Sequence, residues 1–344
     1  AWIDAHFDAQ VAFLQQVVRI PTDTPPGDNA PHAEAVAGML EESGWPVERH
    51  VPPARLVLEH GMRSVANLVV RRRYGPGGPT LALNAHGDVV PPGEGWTHPP
   101  YGAVVEDGVL YGRGAAVSKS DFATYVFAVR ALEALGVQLT GAIELHFTYD
   151  EEFGGLLGPG WLLEQELTRP DYVIAAGFGY GIVTAHNACL QLEVTVHGKA
   201  GHGAMPETAV DALQAATRIL NALYGELPAL KELRSAVPGI GSPTMIVGRI
   251  DGGTNTNVVP GKVSLKLDRR MIPEEDPAPV EARLRALVAA AVDGLPGIRL
   301  EIRRLLLSQA LRPLPGVAPL VASLQRHGRA VMGEEIAAHG TPLY

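Results

Sequence analysis

At 344 residues the chain exceeds what one ordinary hydrophobic core organises, so two domains are expected. Hydrophobic residues at 46%, charged residues at 19% and a formal net charge of −9 describe a globular protein ill suited to nucleic acid or an anionic membrane surface, which leaves a small molecule as the expected partner. The lone cysteine, Cys189, cannot form an internal disulfide, and no apolar run reaches the length of a membrane span.

The N-terminal stretch carries Asp4 and Asp8 and has helical spacing from Phe7 to Ile20, unlike the basic start and compact apolar stretch of a signal peptide. A cytoplasmic location is the expectation. A second helix is predicted from His32 to Ser43, closed by Gly44. Apolar runs at 65–73, 79–89, 142–152 and 171–177 read as strands buried on both faces, with a helix over 120–136 between the middle two. This alternation predicts an α/β domain with a mostly parallel sheet flanked by helices. From about residue 186 the pattern becomes strand 190–198, helix 207–227, strands 243–253 and 261–271, helix 277–294 and strand 298–307. That βαββαβ order is a complete two-layer, ferredoxin-like unit, expected as an insertion over 186–307. Residues 1–185 and 308–344, including a helix at 317–333, would then form the first domain.

Chemistry concentrates at two strand ends. The run LALNAHGDV stops on His86 and Asp88, and ligands in open α/β sheets bind beyond the carboxyl ends of strands. A neutral imidazole binds a metal through one nitrogen when a carboxylate fixes the other, a role for which Asp88 is suitably placed. The run LHFTYDEEFGG ends on Asp150, Glu151 and Glu152, carboxylates that repel one another unless they share a cation or a proton. One could hold a metal while its neighbour takes a proton from water. Each motif alone also fits an ordinary loop.

Taken together, NAHGDVVPPGEGW, DGVLYGRGAAVSK, TYDEEFGG, VHGKAGHGAMPETAVDAL and GGTNTNVVPGKVSLKLDRR resemble, in order and spacing, the M20 family of metallo-aminoacylases and carboxypeptidases, which includes acetylornithine deacetylase and succinyl-diaminopimelate desuccinylase. The resemblance implies a catalytic α/β domain with the inserted unit serving as lid and dimerisation domain. It implies His86 and Glu152 as metal ligands, Asp88 as the carboxylate orienting His86, and Glu151 as general base. It implies that His202 stabilises the tetrahedral oxyanion, commonly reaching into a partner subunit's site, and that Asn257 and Arg270 hold the substrate, Arg270 through a bidentate grip on a carboxylate. Hydrolysis of an amide or related C–N bond in N-acyl amino acids or dipeptides follows, with a divalent cation (zinc, or alternatively manganese or cobalt) and a homodimer.

The departures are specific. Val117 stands where the family carries an aspartate bridging two ions, and Gly177 stands where it carries a further acidic ligand. The sequence ends at HGTPLY, ahead of the family's last histidine, so a catalytic domain cut short is expected. Asp121, four residues beyond Val117, is expected to be a first-turn helix carboxylate rather than a replacement. One ion per subunit follows. Two other readings stand beside this one: a metal-free binding module with a remnant pocket, and a hydrolase using Ser118, Lys119 and Ser120 in which the lysine activates a serine.

Overall fold

The computed structural model describes residues 1–177 and 179–343. It divides into two compact units, Ala1–Gly179 and Tyr180–Tyr344. The first carries helices α1 (Trp2–Ala5), α2 (Phe7–Val18), α3 (Ala30–Glu42), α4 (Ala54–Glu59), α5 (Lys119–Ala134) and α6 (Pro159–Glu164). Its strands are β1 (Glu48–His50), β2 (Asn67–Gly75), β3 (Thr80–His86), β4 (Val104–Glu106), β5 (Val109–Tyr111), β6 (Gly141–Thr148) and β7 (Tyr172–Ala175).

Five of these strands form one sheet in the order β1-β2-β6-β3-β7, and β4 and β5 make a separate antiparallel pair. β3 runs parallel to β6 and β7, whereas β2 is antiparallel to β1 and β6. The sheet is therefore mixed rather than mostly parallel. The cause is the short turn at 76–79, which can only reverse the chain between β2 and β3. That turn crosses the start of β6 so closely that a Cβ on Gly141, whose φ is +82°, would lie 2.1 Å from the Pro79 carbonyl oxygen. The central strands read as continuous apolar runs because helices cover them. Phe13 and Val17 of α2, Val36 and Leu40 of α3, and Phe122, Val126 and Val129 of α5 recur every three or four residues, and all join the core around Leu145 and Phe147.

The second unit contains β8 (Ile182–His186), β9 (Ala188–His197), β10 (Gly201–His202), β11 (Thr244–Gly252), β12 (Val258–Val259), β13 (Lys262–Met271), β14 (Arg299–Ser308) and β15 (Ala338–Thr341). Its helices are α7 (Ala212–Gly225), α8 (Leu227–Glu232), α9 (Pro277–Ala291) and α10 (Ala318–Met332). An antiparallel sheet in the order β11-β13-β9-β14 follows the expected βαββαβ sequence, with α8 as an added short helix. Alternation of buried and half-buried residues from Leu190 along β9 and from Val263 along β13 marks a sheet with one covered face. Ala212, Ala215, Ile219 and Leu223 of α7 and Leu284 and Val288 of α9 join the core on that face. Asp211 and Asp276 cap these helices with side-chain acceptors.

The division at residue 179 differs from the expected boundary at 185. β15 pairs in parallel with β8, which sets residues 338–341 beside 182–186. No helix among the described residues is long and apolar enough to cross a membrane.

Candidate active site

β3 and β6 lie side by side in parallel with His86 opposite Thr148, so their carboxyl ends open on the same edge of the sheet. β3 delivers His86 to that edge. The chain then turns at Gly87, where a Cβ would come 2.4 Å from Cε1 of Tyr149, so glycine alone lets the backbone lie this close to the ring. Tyr149 is itself fixed in the core, its hydroxyl 3.0 Å from Nδ1 of buried His32, whose Nε2–H donates to the Val17 carbonyl at 3.1 Å. After β6, buried Asp150 accepts the Leu157 N–H, and a single 3-10 turn, Glu151–Phe153, presents two carboxylates. Glycine at 154, with φ +99°, ends that turn in the left-handed region.

Asp88 ties the two strand ends together. It is fully buried, and its Oδ2 accepts the Glu152 backbone N–H at 3.0 Å. Its main-chain oxygen lies 3.0 Å, and its Oδ1 3.4 Å, from Nδ1 of His86. In the neutral ring these acceptors place the proton on Nδ1 and leave the lone pair on Nε2, which lies 3.9 Å from Oε2 of Glu151. His86, Glu151 and Glu152 each offer one ligand atom, all within 4.8 Å of one another.

The electrostatics are those of a pocket short of positive charge. Burial, with Glu151 and Asp88 beside it, pushes the Glu152 carboxyl up to about 7. Burial and then the Asp88 charge do the same to Asp150, to about 7, and burial raises Glu151 against the pull of His86. Burial opposes the charged form of His86, yet the Asp88 hydrogen bond and the surrounding carboxylates outweigh it and raise the ring to about 9. Apart from His86 Nδ1 at 3.4 Å, buried Asp88 Oδ1 has no polar partner. An imidazole nitrogen beside crowded carboxylate oxygens is a donor set that fits a divalent cation.

Four predicted residues, His86, Asp88, Glu151 and Glu152, thus converge in the first unit. The other three lie in the second. His202 is exposed on β10, opposite Val258 of β12, and Gly203 N–H donates to the Asn257 carbonyl at 2.8 Å, which sets His202 and Asn257 on one small two-stranded element. Arg270, on β13, donates from Nε and Nη2 to the Asp268 carboxylate at 2.8 and 3.2 Å. Val117 is half-buried just before α5, and a Cβ at Gly177 would meet nothing within 4 Å. Asp121 sits in the first turn of α5, as expected, outside the group of three. The serine–lysine alternative is not built: Lys119 Nζ donates to the Ile20 carbonyl at 2.8 Å, Ser120 to Ala116 O at 2.6 Å, and the Ser118 oxygen accepts the His86 N–H at 3.1 Å. Sequence reasoning missed that last bond and the one from Thr22 Oγ1 to the Gly87 carbonyl at 2.6 Å. Both join residues far apart in the chain and leave no local pattern.

Residues 82–303 match the model of peptidase family M20/M25/M40. The chain belongs to this family. A succinyl-diaminopimelate desuccinylase of Acidiphilium cryptum is 31% identical over 299 residues, spanning 83% of this chain and 73% of that protein. Among solved structures, an M20 family metallo-carboxypeptidase from Sulfolobus solfataricus superposes with a TM-score of 0.78 at 18% identity, over 97% of this chain and 86% of the other. Human carnosine dipeptidase 1 gives 0.75 at 19% identity, over 100% and 86%. At these identities the two structures attest the mixed α/β fold. Family membership makes the protein an enzyme of the metallohydrolase type, with a divalent metal cofactor and amide bonds as its target.

Proposed function

We propose that this M20 member hydrolyses the amide bond of small carboxylate-bearing substrates, N-acyl amino acids or dipeptides, with one divalent cation per chain. The observation that carries the reading is the meeting of His86, Glu151 and Glu152 within 4.8 Å at the edge of two adjacent parallel strands. His86 and Glu152 would hold the ion, with zinc the best match to the donors and manganese or cobalt as alternatives. Val117 and Gly177 offer no side-chain lone pair where the family's further ligands would stand, which supports a single ion. A bound cation supplies Lewis acidity towards the acyl oxygen and the attacking water.

The chain's own groups do the rest. Asp88 keeps the proton of His86 on Nδ1 and so keeps Nε2 available as a ligand. Glu151, the more open carboxylate with a side chain 46% exposed, takes the proton of the attacking water and returns it to the departing amine. His202 would donate to the tetrahedral oxyanion, and Asn257 and Arg270 would hold the substrate carboxylate, Arg270 by exchanging Asp268 for it. Residues 186–307 would serve as lid and as the surface of a homodimer, in the cytoplasm. The desuccinylase relatives favour the N-acyl end of the substrate range.

The test is turnover of a panel of N-acyl amino acids and dipeptides by zinc-loaded protein and by Glu151→Gln. The reading requires activity in the first and its loss in the second with the metal still bound. Full turnover in Glu151→Gln would falsify the assignment of the base.

A further inference from the structure

Ser118 occupies the N-cap of α5, where a serine oxygen ordinarily accepts a backbone N–H two or three residues on. It makes no such bond. Asp211 and Asp276 cap α7 and α9 in that way, whereas Asn29 at the start of α3, like Ser118, does not. Ser118 is fully buried, and its oxygen instead accepts the backbone N–H of His86 at 3.1 Å, across 32 positions of sequence. The side chains of the two residues after Ser118 are engaged elsewhere, Lys119 with Ile20 and Ser120 with Ala116, and the Val117 side chain before it has no acceptor atom.

The neighbouring main chain is pinned too. Gly87 N–H donates to the Thr148 carbonyl at 2.8 Å, the Gly87 carbonyl accepts from Thr22 Oγ1 at 2.6 Å, and Val89 N–H donates to the Thr22 carbonyl at 3.1 Å. Ser118 therefore supplies the fixing point at His86 itself. It comes from a helix, whereas the others come from β6 and the 22–24 segment.

We propose that Ser118 is a positioning residue that holds the backbone of His86 so that the one imidazole in the candidate metal group keeps its place over Glu151 and Glu152. This rests on the metal-binding reading above. The hydroxyl acts through His86 and touches neither ion nor substrate. An α5 helix that gives up its own cap to serve a residue of β3 ties the start of that helix to the geometry of the site.

The test is a zinc titration of the whole chain against a chromophoric chelator, with Co²⁺ loading to record the ligand-field spectrum. Wild type, Ser118→Ala, Ser118→Cys and a core control, Val126→Ala, are compared at a temperature where each is folded. Cysteine keeps the volume and offers a poor acceptor, so it decides the matter if the alanine variant fails to fold. The expected result is zinc affinity about 10 to 100 times weaker in the serine variants, with an altered Co²⁺ spectrum, and no change in Val126→Ala. Wild-type affinity and spectrum in folded Ser118→Cys overturn the proposal. Equal weakening in Val126→Ala at a matched loss of stability overturns it as well, because general loosening then suffices. A wild-type protein that takes up no metal overturns the underlying reading instead, which separates the two failures.

Discussion

Two polar clusters share the sheet of the first unit and behave in opposite ways. Halfway along β6, Glu144 is surrounded by partners: Arg71 bonds one carboxylate oxygen, and His146 Nε2 at 2.9 Å and the Thr168 hydroxyl at 2.5 Å meet the other. Arg71 reaches on to Glu48 at 2.7 Å. Burial alone would raise the Glu144 carboxyl, but the His146 and Thr168 hydrogen bonds and the Arg71 charge hold it at about 2. Beyond the end of the same strand, burial and the neighbouring Glu151 and Asp88 charges raise Glu152 to about 7 against the weaker pull of His86. A buried carboxylate whose charge is answered by the protein is part of the scaffold. One whose charge is left over marks a place where something else must bind.

The largest test of this contrast is chemical. Glu151→Gln should cut turnover by about 10² to 10⁴ while zinc uptake persists, whereas Glu144→Gln should leave the turnover of folded enzyme near wild type. Steady-state kinetics beside metal analysis decides. Arg71→Ala should be the more damaging to the fold. It strips the buried Glu144 of its charged partner at a cost of about 3 kcal/mol, read as a lower urea midpoint, with zinc affinity of the folded protein unchanged. If Arg71→Ala lost zinc, the division between scaffold and site would fail.

Zinc at about 100 times its dissociation constant should stabilise the protein by about 2.7 kcal/mol. The gain should vanish with chelator and be absent in His86→Ala, as thermal melts would show. The smallest effect is a slope. The folded pKa of Glu144 lies below its unfolded value of 4.5, so between 4.5 and about 2 the unfolded chain binds more protons and stability falls as pH falls. Glu144→Gln should flatten that part of an acid titration, and an unchanged curve would mean that the carboxylate is not held down as the geometry implies.

Much of this was legible beforehand, and for stated physical reasons. Helical spacing in 7–20, 32–43 and 120–136 found α2, α3 and α5, and strand runs from Leu81 and from Ala142 found β3 and β6. The motif resemblance located His86, Asp88, Glu151 and Glu152, which the fold gathers at one edge. Strand direction was not legible, because an apolar run such as Leu68–Val70 records burial and not orientation, and the reversal at 76–79 acts across the intervening β6. The roles of Ser118 and Thr22 escaped for a similar reason. A serine ahead of a helix reads as its cap, and only the folded chain shows its oxygen spent on a strand.

Gly87 resting on Tyr149 has a practical consequence. The ring that closes the interior around Phe122 is also the floor on which the His86–Asp88 turn is laid, so packing and the geometry of the candidate site are not separate dials. Anyone recombining interior residues near Tyr149 to harden this enzyme against heat should find ion affinity drifting in the same library. Screens for thermal hardiness would then select, unasked, among different versions of the proposed metal site.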